Sequence, residues 1–173
     1  NVVRQQPRIK SIRERIELTD GDFLDIELST PGERGVILLL HGLEGGSESN
    51  YIKEIFAHLS SMGFQLILLQ FRGCSGTPNR LLRTYHSGHT SDLNHVAELM
   101  KCRFGKLTAA VGYSLGGNVL LKWLGENDRR ALLERAVAIS VPFDLAKSAT
   151  RLDQGVSRIY QKWLIKSLQN KYL

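Results

Sequence analysis

The stretch that most limits the possible folds runs from Leu107 to Gly117 and reads Leu-Thr-Ala-Ala-Val-Gly-Tyr-Ser-Leu-Gly-Gly. It is a short apolar strand, an abrupt turn carrying Ser114, and the first turn of a helix that continues through Asn118, Val119 and Leu120 to Trp123 and Leu124. A chain that reverses from strand to helix within a few residues has no room for side chains two positions either side of the turn residue. Gly112 and Gly116 remove them. Ser114 is expected to have φ above zero, a strain of roughly 1–3 kcal/mol that the flanking strand and helix must offset. Its hydroxyl then stands exposed beside the free N–H groups and positive dipole end of the helix, which favour negative charge.

Five residues of this kind also occur as an ordinary Gly-rich turn, so the rest of the chain has to carry the argument. At 173 residues, with 42% hydrophobic side chains and only 4 Pro, there is apolar material for one sizeable core. Lys and Arg number 23 against 17 Asp and Glu, giving +6, but acidic residues interleave with the scattered basic ones. The charge reads as a solvated surface, and no nucleic-acid partner is expected. Cys74 and Cys102 form neither a metal-ligand spacing nor a disulfide framework, which suits a reducing, cytoplasmic compartment. No stretch approaches the apolar length of a membrane span, and no signal peptide opens the sequence. The sequence lacks an initiator Met and stops inside what reads as a helix, so it is expected to be a piece of a longer protein.

In chain order, residues 1–10 are a polar and basic lead-in. Ile12 to Leu18 and Phe23 to Leu28 alternate around Thr19-Asp20-Gly21-Asp22 and predict a hairpin, an antiparallel entrance to a sheet. Val36 to Leu40 and Gln65 to Phe71 are solid apolar runs, the pattern of central parallel strands covered on both faces. Between them a helix from Tyr51 to Met62 places Ile52, Ile55, Phe56, Leu59 and Met62 on one face, with Gly63 at its C-terminal cap. A helix from about Thr90 to Gly105 turns Leu93, Val96, Ala97 and Met100 inward, the helix after Ser114 runs to about Glu126, and Arg135 to Val141 is a further strand. The alternation predicts an α/β fold with a mainly parallel sheet and helices on both faces. Past Pro142 the pattern weakens through Gln154. Val156 to Leu173 then reads as an amphipathic helix, with Val156, Ile159, Tyr160, Trp163 and Leu164 on one face and Arg158, Lys162 and Lys166 in a basic row. Residues 1–142 are therefore read as core. Residues 143–173 either pack on it as a surface helix or begin a helical cap or insertion that meets substrate or membrane.

Acyl transfer by a serine needs a base, an acid that orients it, and donors for the oxyanion. Loops after parallel strands emerge at one sheet edge, so His41-Gly42-Leu43 and the Ser114 turn should face each other there. The N–H groups of Leu115 and Leu43 are the natural oxyanion pair, and Gly42 leaves room for the acyl group. With His41-Gly42-Leu43-Glu44-Gly45, Phe71-Arg72-Gly73-Cys74-Ser75-Gly76 followed by Pro78-Asn79-Arg80, Tyr85-His86-Ser87-Gly88, and Val111-Gly112-Tyr113-Ser114-Leu115-Gly116-Gly117-Asn118 in order, the sequence resembles the α/β-hydrolase superfamily. More narrowly it resembles the YheT-like esterase branch, which also holds membrane-anchored lipases. The resemblance covers roughly residues 12–168. It implies an α/β-hydrolase fold truncated before its last strands, no metal or other cofactor, and a serine esterase or lipase acting on short- or medium-chain acyl esters or acylglycerols. It also implies that the triad acid and base histidine lie beyond Leu173; this segment alone would then be inactive. If the whole protein lacked them, it would be a non-catalytic binding or scaffold protein. Peripheral membrane contact is an expectation from the basic amphipathic helix.

Other residues keep two readings. His41 either shapes the oxyanion loop or acts as base; His86 and His89 have a metal-compatible spacing without a supporting ligand cluster; His58 and His95 fall on polar helix faces. Asp144 stands after the sixth strand, where some hydrolases of this fold place an acid. Cys74 reads as a turn residue rather than a nucleophile. Arg72 and Arg80 either pin the long loop by ion pairs or meet an anionic head group.

Overall fold

Two runs without polar interruption, Val36 to Leu40 and Leu66 to Leu69, put apolar side chains on both faces of any strand they form. In the structure, a computed structural model that describes residues 10–126 and 132–171, they lie at the centre of a six-stranded sheet. Its strands are β1 (Ser11–Glu17), β2 (Phe23–Ser29), β3 (Val36–Leu40), β4 (Gln65–Gln70), β5 (Leu107–Tyr113) and β6 (Leu133–Ile139), in spatial order β1-β2-β4-β3-β5-β6. β1 to β2 and β2 to β4 are antiparallel, and the β4-β3-β5-β6 side is parallel. The fold is the mainly parallel α/β sheet that the strand and helix alternation predicts. The lead-in before Lys10 and the end of the chain at Tyr172 and Leu173 lie outside the described residues.

The helices are α1 (Asn50–Ser61), α2 (Ser91–Phe104), α3 (Leu115–Glu126), α4 (Leu145–Leu152) and α5 (Ser157–Gln169). The period of two along the central strands divides the core. Leu38, Leu40, Ile67 and Leu69 pack with Leu93, Val96 and Met100 of α2 and with Val119, Leu120 and Trp123 of α3. Ile37, Leu39, Leu66 and Leu68 pack on the opposite face with Ile52 and Phe56 of α1. Each such aliphatic side chain contributes about 1.5–3 kcal/mol by leaving water, which is what fixes the helices to the sheet. Met62, expected inward on α1, is exposed because it is the capping residue, and the chain turns at Gly63 with φ 87°. On the antiparallel side, Arg13 faces Glu27 and Arg15 faces Asp25 across the β1–β2 register. The guanidinium of each lies 2.8 Å from its partner carboxylate, so two buried acids of β2 are matched by the edge strand.

Three differences from the sequence reading follow from local geometry. β6 runs two residues earlier than expected, because Ser140 takes φ 53° and turns the chain out of the sheet. Val141 instead packs over α3, where its Cγ2 would stand 2.6 Å from a Cβ placed on Gly117. The weakly periodic stretch after Pro142 contains α4, started by the Asp144 carboxylate, which accepts the Lys147 N–H at 2.9 Å. Most of the apolar face of α5 does not pack on the sheet: Leu164 is buried, whereas Val156, Ile159, Tyr160 and Trp163 are exposed.

β3 lies between β4 and β5, so the chain leaves it in opposite directions on its two sides. This is the switch point of an open parallel sheet, where the loops after neighbouring strands part to leave a crevice. The loop after β3 carries His41 to Gly46 and the turn after β5 carries Ser114.

Candidate active site

Ser114 has φ 49°, the left-handed conformation that the abrupt turn demands. Its N–H donates to the Ile139 carbonyl at 2.8 Å, and its own carbonyl accepts the Asn118 N–H at 3.1 Å, opening α3. A Cβ on Gly112 would lie 2.6 Å from the Gly116 carbonyl oxygen and 2.8 Å from the Gly117 Cα. One on Gly116 would lie 2.5 Å from the His41 carbonyl oxygen and 2.8 Å from that of Leu40. The missing side chains let β5 pass directly into α3 and let the start of α3 press on the end of β3.

The opposite wall is the loop after β3. A Cβ on Gly42 would stand 3.3 Å from the Ser114 Cβ, so the two turns are in contact. The Gly42 N–H donates to the Tyr51 hydroxyl at 2.8 Å, and the Tyr51 ring lies 4.9 Å from that of Tyr113. His41 is wholly buried. Its Nε2 accepts the Phe71 N–H at 3.1 Å, which leaves Nδ1 protonated and donating to the Gly42 carbonyl at 2.7 Å. Burial pushes the imidazole down to about 4, so it is neutral with both nitrogens engaged. The imidazole thus ties the start of the loop after β3 to the Phe71 backbone. Leu43 and Leu115 both pack on the core beneath the crevice and line it together with Ser114.

Glu44 follows Leu43 with φ 53° and an almost fully buried carboxylate. Its Oε1 accepts from the Tyr85 hydroxyl at 2.9 Å and from Lys171 Nζ at 2.6 Å, and its Oε2 accepts from Ser167 Oγ at 2.7 Å. The Glu44 N–H in turn donates to the Tyr85 hydroxyl at 2.8 Å. Burial alone would raise this carboxyl, but Lys171, Ser167 and Tyr85 outweigh it and hold the group below the usual carboxylate range. Tyr85 is fixed by stacking on Phe71, with ring centroids 5.0 Å apart. None of these partners is within 40 residues of Glu44 in the chain, and no local spacing announces them.

Two cavities meet at Ser114. The larger, about 650 Å³, is walled by Leu115, Val141, Pro142, Phe143, Leu152 and Leu164. The smaller, about 390 Å³, is lined by Ser49, Tyr51, Tyr113, Ser140 and Trp163. Leu43, Ser114 and Tyr160 border both.

The remaining candidates have other partners. Arg72, 4% exposed, forks onto Asp92 with two bonds of 2.8 Å and also meets Asp20 and Asp22, so it pins the loop after β4 to the β1–β2 turn. Arg80 joins the same turn through Glu17 and the Gly21 carbonyl. His89 Nε2 lies 2.9 Å from Arg83 and 2.7 Å from Ser91 Oγ, while its ring stacks on His86. Among the described residues, no group of three or more His, Cys, Asp or Glu is arranged around a common point for a metal ion. Asp144 caps α4, and Cys74 lies 3.1 Å from Lys171 Nζ with its thiol raised by burial. Among the described residues, no helix is long and apolar enough to cross a membrane.

A mainly parallel sheet with a strained serine between strand and helix at its switch point defines an α/β hydrolase, and the chain belongs to that family: the alpha/beta hydrolase fold profile matches residues 35–172. More narrowly, it is similar to YheT of Escherichia coli (strain K12), named for an inferred esterase activity, with 37% identity over 171 residues that cover 96% of this chain and 50% of YheT. The monoacylglycerol lipase of Saccharomyces cerevisiae (strain ATCC 204508 / S288c) is 30% identical over 127 residues, 72% of this chain and 28% of the lipase. In fold, the chain superposes on the esterase Pf2001 of Pyrococcus furiosus with a TM-score of 0.67 at 19% identity, covering 94% of this chain and 63% of that one. The chain spans half the length or less of these curated relatives.

Proposed function

We propose that this chain carries the nucleophile half of a serine hydrolase that cleaves carboxylic esters through an acyl-enzyme on Ser114. The observation that carries the reading is the left-handed Ser114 at the junction of two cavities, in contact with the Gly42 turn. The Ser114 oxygen adds to the ester carbonyl as its proton passes to a histidine base. The Leu43 and Leu115 N–H groups hold the oxyanion, and loss of one such donor costs roughly 2.7–4 kcal/mol of transition-state stabilisation. Collapse of the tetrahedral adduct expels the alcohol, which takes the proton from the histidine. Water then enters by the same steps in reverse, releasing the acid and restoring the serine. The base histidine and its acid are assigned to sequence past Leu173, in keeping with the longer relatives. No cofactor enters the scheme.

The larger cavity suits an acyl chain, because most of its wall is aliphatic and aromatic, with Asp144, Lys147 and Arg151 of the α4 region as its charged part. The smaller one, with the Tyr51 and Ser140 hydroxyls, suits the alcohol portion. Acylglycerols and short- or medium-chain acyl esters fit this division, and the yeast relative is named for a monoacylglycerol substrate. α4 and α5 act as the start of a cap over Ser114. The exposed Val156 and Ile159 beside Arg158, Lys162 and Lys166 give that cap a face suited to a lipid surface. A fluorophosphonate probe on the intact protein tests the chemistry. Labelling that disappears in Ser114→Ala is the expected result, and a wild-type protein that neither labels nor hydrolyses p-nitrophenyl esters would overturn the reading in favour of a non-catalytic binding protein.

A further inference from the structure

The chemistry just proposed uses the Leu43 N–H but gives no role to the residue that follows it. Glu44 combines two features that are each costly alone, a left-handed backbone without being glycine and a carboxylate 2% exposed, and it stands beside the proposed oxyanion donor. A buried carboxylate persists only where its oxygens are matched, and here the matching groups come from two sides. On the core side Tyr85, stacked on Phe71, donates to Oε1 at 2.9 Å and accepts the Glu44 N–H at 2.8 Å. On the other side Ser167, in the last turn of α5, bonds Oε2 at 2.7 Å, and Lys171, just past that helix, supplies the countercharge at 2.6 Å. The same α5 lays Tyr160 and Leu164 over the cavity at Ser114.

We propose that Glu44 is a positioning residue that makes the oxyanion loop conditional on the docking of α5. With α5 seated, the carboxylate is fully paired, the left-handed turn at Glu44 is held, and the Leu43 N–H is kept in place beside Ser114. With α5 lifted, the carboxylate loses Ser167 and Lys171 together. A buried charge then faces only Tyr85, and the loop gives up its turn to bring the carboxylate to water. The oxyanion hole is thus complete when the helix closes over bound substrate, and incomplete when the helix is away. Tyr85 is the fixed arm of this device, Ser167 and Lys171 the movable one.

The inference rests on the reading of Ser114 as nucleophile, so its test includes a measurement that needs no turnover. In the intact protein, Glu44→Gln and Lys171→Met are compared with wild type by hydrogen exchange and by ester hydrolysis. Faster exchange is expected at residues 43–46 and along α5 in both variants. For a short p-nitrophenyl ester, kcat is expected to fall about tenfold or more with KM within twofold, since misplacing one oxyanion donor acts on the transition state rather than on binding. The double variant loses no more than the worse single one, because both remove one device. Ser167→Ala, a milder change that keeps the charge pair, shifts exchange in the same direction by less and serves if Lys171→Met fails to fold. Loosening of α5 with exchange at residues 43–46 unchanged would overturn the coupling, as would a rise in KM alone. Wild-type protein without Ser114-dependent labelling would sink the hydrolase reading, and the exchange pattern would still decide whether α5 and the loop move as one.

Discussion

Gly116 is the residue at which the contact between the Ser114 turn and the loop after β3 can be tested most directly. A Cβ there would lie 2.5 Å from the His41 carbonyl oxygen, where ordinary contact begins at 3.4 Å, so that carbonyl must give by about 0.9 Å. It cannot do so freely. The N–H of the same peptide, that of Gly42, is tied to the Tyr51 hydroxyl, the next carbonyl, that of Gly42, is held by His41 Nδ1, and the imidazole is itself held by the Phe71 N–H. Gly116→Ala is therefore expected to cost about 1–3 kcal/mol, the usual range for an extra methyl in a filled interior. It should lower kcat by about a hundredfold, because a displacement near 1 Å in the proposed oxyanion loop misaligns the reacting geometry. Gly125→Ala is the control: it lies in the same helix with nothing within 4 Å of its added Cβ, and should raise stability by up to about 1 kcal/mol. Urea unfolding and ester hydrolysis of both variants in the intact protein supply the measurements. If Gly116→Ala keeps stability within about 0.5 kcal/mol and full activity, the loop does not press on the start of α3 and the steric account of the turn fails.

Removing the Arg72 side chain leaves the buried Asp22 and Asp92 without their countercharge, so Arg72→Met should cost about 3–5 kcal/mol in urea unfolding; a change under 1 kcal/mol would show that the fork holds nothing. Burial would raise the Asp22 carboxyl, but hydrogen bonds from Asn79 and from the Arg80 and Phe23 N–H groups, with the Arg72 charge, hold it below its unfolded value. Its contribution is present above about pH 4 and lost as pH falls through the folded value, so Asp22→Asn should flatten the acid limb of stability. His41 works in a neighbouring window: with a folded value of about 4 against an unfolded one near 6.5, the unfolded chain takes up the proton first and stability declines as pH falls between the two. Nitrogen NMR at pH 5.5 should find this ring neutral with the proton on Nδ1, and a proton on Nε2 would contradict the bond from the Phe71 N–H.

The elements that were legible in the sequence are those whose causes are local. Leu93, Val96, Ala97 and Met100 recur at helical spacing and are all fully buried. The solid runs of β3 and β4 announced strands covered on both faces, and the glycines around Ser114 announced a turn that other residues cannot enter. Sequence also set the order of strands and helices, and with it the edge at which Gly42 and Ser114 meet. It was less informative past Pro142. The N-cap at Asp144 was a usable signal for α4, whereas the apolar stripe of α5 did not reveal that Leu164 alone among its five residues would be buried.

Tertiary structure alone decided what stands around Ser114 and the loop after β3. Phe71 on His41, and Tyr85, Ser167 and Lys171 on Glu44 are partnerships across long stretches of chain, the last two spanning 123 and 127 residues. Backbone sterics and hydrophobic periodicity act between near neighbours and leave their mark in the order of residues. A buried carboxylate or imidazole instead takes whichever donors the packed elements bring to it. Those donors are chosen by the fold.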